Sequence, residues 1–235
     1  LIIEITQGRE PPNNPDGITV VIDVIRAFTT AWYAFCGGVQ RIHLVGSAEE
    51  GFALEKRMPG VPLVGEVDAL PIPGFDYGNS PWEISRARLP QELIMLTTNG
   101  VRATLNARDS RRVLVTGLVN ADATVAAIRG LSTGEDERVV LVASHPTGDE
   151  DLACAEYMVE QLGGPGIELE EAEERVRRCE AAQKFLQRLH PRLHPADVHM
   201  AAESRGAEGF AVQAHYTPEP VIQRLDWPFD DVERC

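Results

Sequence analysis

Two stretches of this chain rhyme: Ile22-Asp23-Val24-Ile25-Arg26-Ala27-Phe28-Thr29-Thr30 and Met95-Leu96-Thr97-Thr98-Asn99-Gly100-Val101-Arg102-Ala103-Thr104. Each leaves an apolar run, turns polar abruptly, and sets hydroxyls and an arginine where a helix should begin. Hydroxyls, a tight glycine turn, backbone N–H groups and a cation are the equipment for holding an anion at a helix N-terminus. We read the pair as a phosphate site built on two strand-to-helix turns.

Outward from these turns the pattern repeats. Short apolar runs stand at Ile18–Ile22, Arg41–Val45, Val61–Val64, Leu93–Leu96, Arg112–Thr116 and Val139–Ala143. Amphipathic stretches fall between many of them, at Thr29–Phe35, Ser47–Met58, Val101–Ala107, Asp122–Arg129 and Glu150–Leu162. Brief apolar runs alternating with helices predict parallel strands buried on both faces, hence a layered α/β/α fold with a mostly parallel central sheet. Ligands in such folds bind beyond the carboxyl ends of the strands. Both rhyming turns fall at such ends, as do Asn120 and the pair Glu150-Asp151. The whole of 1–235 reads as one domain, with two lobes divided near 85–92 as the alternative and 167–205 as a helical C-terminal portion.

Two segments break the alternation. Gly65 to Pro90 has several prolines and no helical period, and a stretch that long without structure of its own is usually functional or disordered. Its aromatics Phe75 and Tyr77 predict an ordered wall or lid of the site. Ile167–Leu189 predicts one charged helix with an apolar stripe of Leu169, Ala172, Val176, Cys179, Ala182, Leu186 and Leu189. Packing on its own domain is the first reading of that stripe, and a homodimer seam is the second. Ala196–Ser204 reads as a further helix and Pro220–Leu225 as a closing strand.

A formal net charge of −14 argues against nucleic acid or an anionic membrane surface as partner, and makes a small anionic substrate depend on local cations. The cations are 20 Arg against only Lys56 and Lys184, which codon bias explains more readily than oxyanion binding. Cys36, Cys154, Cys179 and Cys235 form no C-x-x-C pair, so free thiols in a reducing cytoplasm are expected. No apolar run approaches the roughly 18 residues a membrane span needs. Leu1-Ile2-Ile3-Glu4-Ile5 is too short and too acidic for a signal peptide.

The carboxylates Asp23, Glu66, Asp68, Asp76, Glu150 and Asp151 lie at strand ends or in the long loop. Singly each reads as a solvated acid; together they suit an oxygen-rich site for Mg²⁺. Asp23 either caps the following helix or ligates a metal or water, and Thr29 and Thr30 compete for the capping role. Arg26 either pairs with a surface acid or, three residues beyond the strand end, forks onto phosphate or carboxylate oxygens, and the second is the first reading. No Gly-Lys-Ser, Gly-Lys-Thr or G-x-G-x-x-G occurs, which disfavours nucleotide binding. His190, His194 and His199 are interrupted by Pro191 and Pro195, which disfavours zinc. Ser144 lacks the glycine pattern of a nucleophile elbow, and His145 beside it either reaches the site or turns with Pro146.

With these motifs laid out, the chain resembles the 2-phosphosulfolactate phosphatase family. The resemblance rests on Ile22–Thr30, Gly65-Glu66, Gly74–Pro81, Thr97–Arg102, Gly117–Ala121 and Glu150-Asp151, in that order. It implies an α/β fold and Mg²⁺-dependent release of phosphate from 2-phospho-3-sulfolactate, a step of coenzyme M synthesis. It suggests Asp23, Arg26, Glu66, Asp76, Asn79, Thr98, Asn99, Arg102 and Asp151 as residues lining the site. Within that set Asp23, Arg26, Thr98, Asn99 and Arg102 are the expected catalytic group, and Asp23 with Glu66 or Asp151 the metal ligands. Thr29, Thr30, Asp76, Asn79, Ser80, Gly100 and Asn120 are expected to bind substrate. Departures from the family pattern stand at Phe28, which would narrow the pocket, and at Ser144-His145-Pro146-Thr147. A non-catalytic anion binder, or a hydrolase of another small metabolite, is the alternative.

Overall fold

The computed structural model describes residues 1–134 and 136–225; Cys235 lies outside them. The elements run β1 (Ile2–Gln7), β2 (Ile18–Ile22), α1 (Ala27–Cys36), β3 (Arg41–Leu44), α2 (Ala48–Arg57), β4 (Leu63–Val67) and β5 (Leu70–Pro71). They continue with α3 (Pro81–Ile84), β6 (Glu92–Leu96), α4 (Gly100–Asn106), β7 (Arg112–Thr116), α5 (Ala121–Leu131) and β8 (Arg138–Ala143). The last are α6 (Asp149–Gln161), α7 (Leu169–Arg178), α8 (Glu180–Leu186), α9 (Pro195–Ala201), β9 (Val212–His215) and β10 (Val221–Arg224). This is an α/β fold on a mostly parallel sheet, ordered β1-β8-β2-β7-β9-β10-β3-β6-β4-β5.

The sheet is two parallel halves. β1, β8, β2 and β7 pair in parallel, and so do β3, β6 and β4. β9 and β10 join them through three antiparallel pairings, β7 to β9, β9 to β10 and β10 to β3. An odd number of reversals sets the halves running in opposite directions. The expectation that all the polar turns share one edge of one evenly directed sheet is therefore corrected, although the turns still meet in space.

They meet because the sheet encloses α1. Ala27–Cys36 carries no charged residue, and Phe28, Trp32 and Phe35 lie buried with Ala31 and Ala34. A helix apolar on all sides belongs inside a core. One inner cluster contains α1 together with Val21, Val113 and Val115 from one half and Ile42, Leu44, Leu93 and Met95 from the other. The alternate residues face outward. Ile18, Val20, Ile22 and Leu114 pack with α5 and α6, while Ile94 and Leu96 pack with Leu54 of α2. Burying Phe28 and Phe35 contributes about 1.5–3 kcal/mol each. Trp32 stacks on Phe210 at 5.3 Å, which fastens α1 to the approach to β9.

The helix expected over Ile167–Leu189 is interrupted. Cys179 is extended (φ −58°, ψ 160°), and its Sγ accepts the Ala182 amide, so α8 starts afresh. Ala172 and Val176 pack on the outer face of the first half-sheet, and Ala182 and Phe185 form a small core with Leu193 and Val198. Leu186 and Leu189, at the end of the expected stripe, are exposed. Among the described residues no helix is long and apolar enough to cross a membrane.

Candidate active site

Asp23 closes β2 and is 5% exposed. Its Oδ1 accepts the Ala27 amide at 2.9 Å, and its Oδ2 accepts the Gly100 amide at 2.8 Å. One carboxylate thus joins the starts of α1 and α4 across the two half-sheets. Gly100 is required there, because a Cβ on it would lie 2.6 Å from Asp23 Oδ2. Asp151, in the first turn of α6, takes the Val24 amide on Oδ1 at 2.8 Å. Its Oδ2 takes the His145 amide at 3.0 Å and the Ser144 hydroxyl at 3.2 Å.

Glu66, on β4, is the third buried carboxylate. Its Oε1 accepts the Thr98 amide at 2.7 Å, and its Oε2 accepts the Thr98 hydroxyl at 3.0 Å and the Ala69 amide at 2.6 Å. The β4–β5 hairpin turns on Asp68 (φ 51°) and Ala69 (φ 67°), a left-handed pair that L-residues rarely adopt. The Asp68 amide closes on the Thr98 hydroxyl at 2.9 Å. A strained turn is therefore pinned beside the Thr97–Gly100 segment.

These carboxylates repel one another. Burial pushes the Asp23 carboxyl up to about 7 against the opposing Ala27 amide, and the Glu66 charge adds to the rise. Burial likewise holds Asp151 well above the ordinary carboxylate range, with the charges of Asp23 and Glu150 next in effect. A buried, mutually repelling oxygen set of this kind fits a hard divalent cation, which needs only one or two carboxylates and completes its shell with water and phosphate. Among the described residues no three acidic, His or Cys side chains already converge as a closed metal cage.

Several expected site residues turn out to be committed elsewhere. The backbone N–H groups read as an anion cradle are taken by the protein's own carboxylates and hydroxyls: Thr98 by Glu66, Gly100 by Asp23, and Val101 by Thr97 Oγ1 at 3.0 Å. The Thr98 hydroxyl proton already serves Glu66. Arg26, expected on phosphate, is 5% exposed and pairs with Asp197 at 3.1 Å. Thr29 donates to the Val24 carbonyl at 2.8 Å, and Thr30 is wholly buried on α1. Asp76 braces the Leu63 amide at 2.9 Å, and Ser80 donates to Asp197 at 2.6 Å. Asn120 is held by the Gly117 amide at 3.1 Å and the Phe210 carbonyl at 3.3 Å. Phe28 belongs to the inner core and does not narrow a pocket.

What stays open is short. Arg102 is exposed and has no ion-pair or hydrogen-bond partner among the described residues. Asn99 begins α4 without a side-chain cap bond, and Asn79 Oδ1 is buried without a hydrogen-bond partner. His190 and His194 each accept a nearby backbone amide on Nδ1, at 3.2 and 3.1 Å. Asp197 joins Arg26 without any spacing signal in the sequence to announce it.

With this geometry in place, the comparison with known proteins is direct. The sequence pattern of 2-phosphosulpholactate phosphatase matches residues 4–201. The chain belongs to that family. A Bacillus subtilis (strain 168) protein named probable 2-phosphosulfolactate phosphatase is 41% identical over 198 residues, 83% of this chain and 86% of its own length. A Carboxydothermus hydrogenoformans protein of the same name is 35% identical over 153 residues, 64% of this chain and 62% of its own. One from Deinococcus radiodurans is 35% identical over 156 residues, 65% and 64% of the two lengths. The family match spans every turn of the site, from Asp23 to Asp151, and extends over α7, α8 and α9.

Proposed function

We propose that this chain is a Mg²⁺-dependent phosphatase that hydrolyses 2-phospho-3-sulfolactate to 3-sulfolactate and phosphate. The observation that supports the reading is buried Asp23 lying within electrostatic reach of two further buried carboxylates, Glu66 on β4 and Asp151 in the first turn of α6, in a chain of this family. A divalent cation bound by Asp23 with Glu66 or Asp151 would supply charge neutralisation on the phosphoryl oxygens.

The chain's own residues do the rest. Arg102, exposed in the first turn of α4 two residues after Gly100, draws in the anionic substrate and grips its phosphate, carboxylate or sulfonate. Asn99 donates to a substrate oxygen from the same turn. One carboxylate of the cluster accepts the proton released as water attacks phosphorus and passes it to the sulfolactate oxygen as that oxygen's bond to phosphorus breaks. Asp23 and Glu66 also fix the Thr98–Gly100 turn, so that metal and substrate groups share one rigid frame. Family resemblance supports the coenzyme M route of this proposal, and the lack of any C-x-x-C pair supports its cytoplasmic setting. The net charge of −14 argues against nucleic acid or an anionic membrane surface as partner and makes a small anionic substrate depend on local cations such as Arg102.

The test is phosphate release from 2-phospho-3-sulfolactate by the purified chain, with Mg²⁺ and with chelator. Release that chelator abolishes and added Mg²⁺ restores is expected. Equal release in chelator removes the metal from the reading, and no release from this or any other monoester removes the phosphatase.

A further inference from the structure

Asp197, on α9, is wholly buried. Its two oxygens divide their work. Oδ1 accepts the Ser80 hydroxyl at 2.6 Å and the Trp82 amide at 3.1 Å, which ties α9 to the start of α3. Trp82 also stacks on His194 at 4.0 Å, reinforcing the same junction. Oδ2 accepts Arg26 Nη1 at 3.1 Å. Arg26 Nη2 then donates to the Ala69 carbonyl at 3.1 Å, and the guanidinium lies 4.6 Å over the Phe185 ring of α8.

The connection does not stop at Ala69. Its amide donates to Glu66 Oε2, and Glu66 Oε1 receives the Thr98 amide. A continuous line runs from Asp197 through Arg26, Ala69 and Glu66 to Thr98, ending in the turn whose Gly100 amide holds Asp23. The guanidinium is planar and forks between two acceptors, which a lysine cannot do with the same reach. The turn it grips contains two left-handed residues and needs an outside hold to keep its place.

We propose that Asp197 is a positioning residue for the reaction: through Arg26 it presses the β4–β5 hairpin onto the carboxylate cluster. The proposal rests on the phosphatase reading above. It assigns a role in catalysis to the C-terminal helices, which contribute no group to the reacting centre. A purely structural ion pair would lower stability and leave turnover per folded molecule unchanged.

Asp197→Asn isolates the link, because the remaining oxygen still serves Ser80 and Trp82 while an NH₂ faces Arg26. Arg26→Lys breaks it from the other side, keeping a cation against Asp197 but losing the fork to Ala69. In each folded variant kcat should fall by about tenfold or more with KM within about threefold, since small misplacements of catalytic groups are costly. In the double variant the loss should equal that of Arg26→Lys alone, since the two changes cut one line. Amide exchange at Asp68 and Ala69 should quicken by more than about tenfold relative to β2, reporting local release of the hairpin. Unchanged kcat in folded Arg26→Lys overturns the proposal even where Asp197→Asn fails to fold, and so do losses that multiply in the double variant. If the parent chain releases no phosphate, the functional reading fails and amide exchange decides the tether alone. Faster exchange confined to the hairpin upholds the tether, and exchange unchanged or quickened equally in β2 overturns it.

Discussion

Replacing Gly100 by alanine tests whether the two half-sheets are joined at a catalytic point. Gly100 opens α4 with ordinary helical geometry, so alanine gains about 1 kcal/mol of helix propensity there. The new Cβ would lie 2.6 Å from Asp23 Oδ2, 2.8 Å from Asp23 Cβ and 3.1 Å from Ala27 Cβ. The nearest carbon of Asp23 sits directly on the backbone at the end of β2, so it cannot swing aside as the tip of a long side chain would. Overpacking of this kind costs about 1–3 kcal/mol. Losing the charged hydrogen bond from the Gly100 amide adds about 1.5–3 kcal/mol. The net expectation is a destabilisation of about 1.5–5 kcal/mol, with kcat/KM down about 100-fold as Asp23 is displaced. Urea unfolding and phosphate release measure the two effects. Gly134→Ala, where a Cβ meets nothing within 4 Å, is the control. Parental stability and parental kcat/KM in Gly100→Ala would refute the reasoning.

Three other outcomes are expected. The Asp23 carboxyl is raised in the fold, so the folded state binds the extra proton; its stabilising share is full below about 4 and is lost as pH rises through about 7. Thermal melts of metal-free protein should accordingly fall from pH 5 to pH 8, and added Mg²⁺ should raise the melting temperature more at pH 8; a flat profile contradicts this. Arg102→Ala should leave the melting temperature within about 1 °C, since exposed unpaired side chains seldom matter to stability, while KM rises by about tenfold or more; an unchanged KM removes Arg102 from substrate binding. Ala69→Gly should be near neutral in urea unfolding, because relief of the left-handed backbone offsets the entropy of glycine. The same exchange at Ala103, inside α4, should cost about 1–2 kcal/mol, and equal costs at both sites would show that the hairpin turn is unstrained.

The strands were legible because most are short apolar runs bounded by polar turns, and Asp23, Glu66, Thr98 and Asp151 stood out as polar residues that follow such runs or open the next helix, which is a matter of position and not of role. The α/β class followed from that alternation. The reversed direction of the second half-sheet was not legible. It depends on β9 and β10, four-residue strands inserted between halves that are already complete as patterns. Thr29–Phe35 reads as amphipathic, whereas α1 is buried on nearly every side, since periodicity cannot say that both halves of a sheet will pack on one helix. Arg26 misled for a simple reason: its partner Asp197 lies 171 residues away, on a helix whose own pattern gives no hint of a buried acid. The amides of the Thr97–Val101 turn misled differently. Their capacity to hold an anion was read correctly, but the anions they hold are carboxylates supplied by the chain itself.

The enclosure of α1 bears on how the chain can be synthesised and cut. A helix without a polar side has nowhere to rest until both halves surround it, and the strands that bridge those halves are β9 and β10, at the far end of the described sequence. A nascent chain that has emerged only as far as β8 therefore carries a sticky, half-wrapped helix. Truncation before Val212 should give an insoluble product rather than a smaller working enzyme, and chaperone dependence should be greatest late in translation.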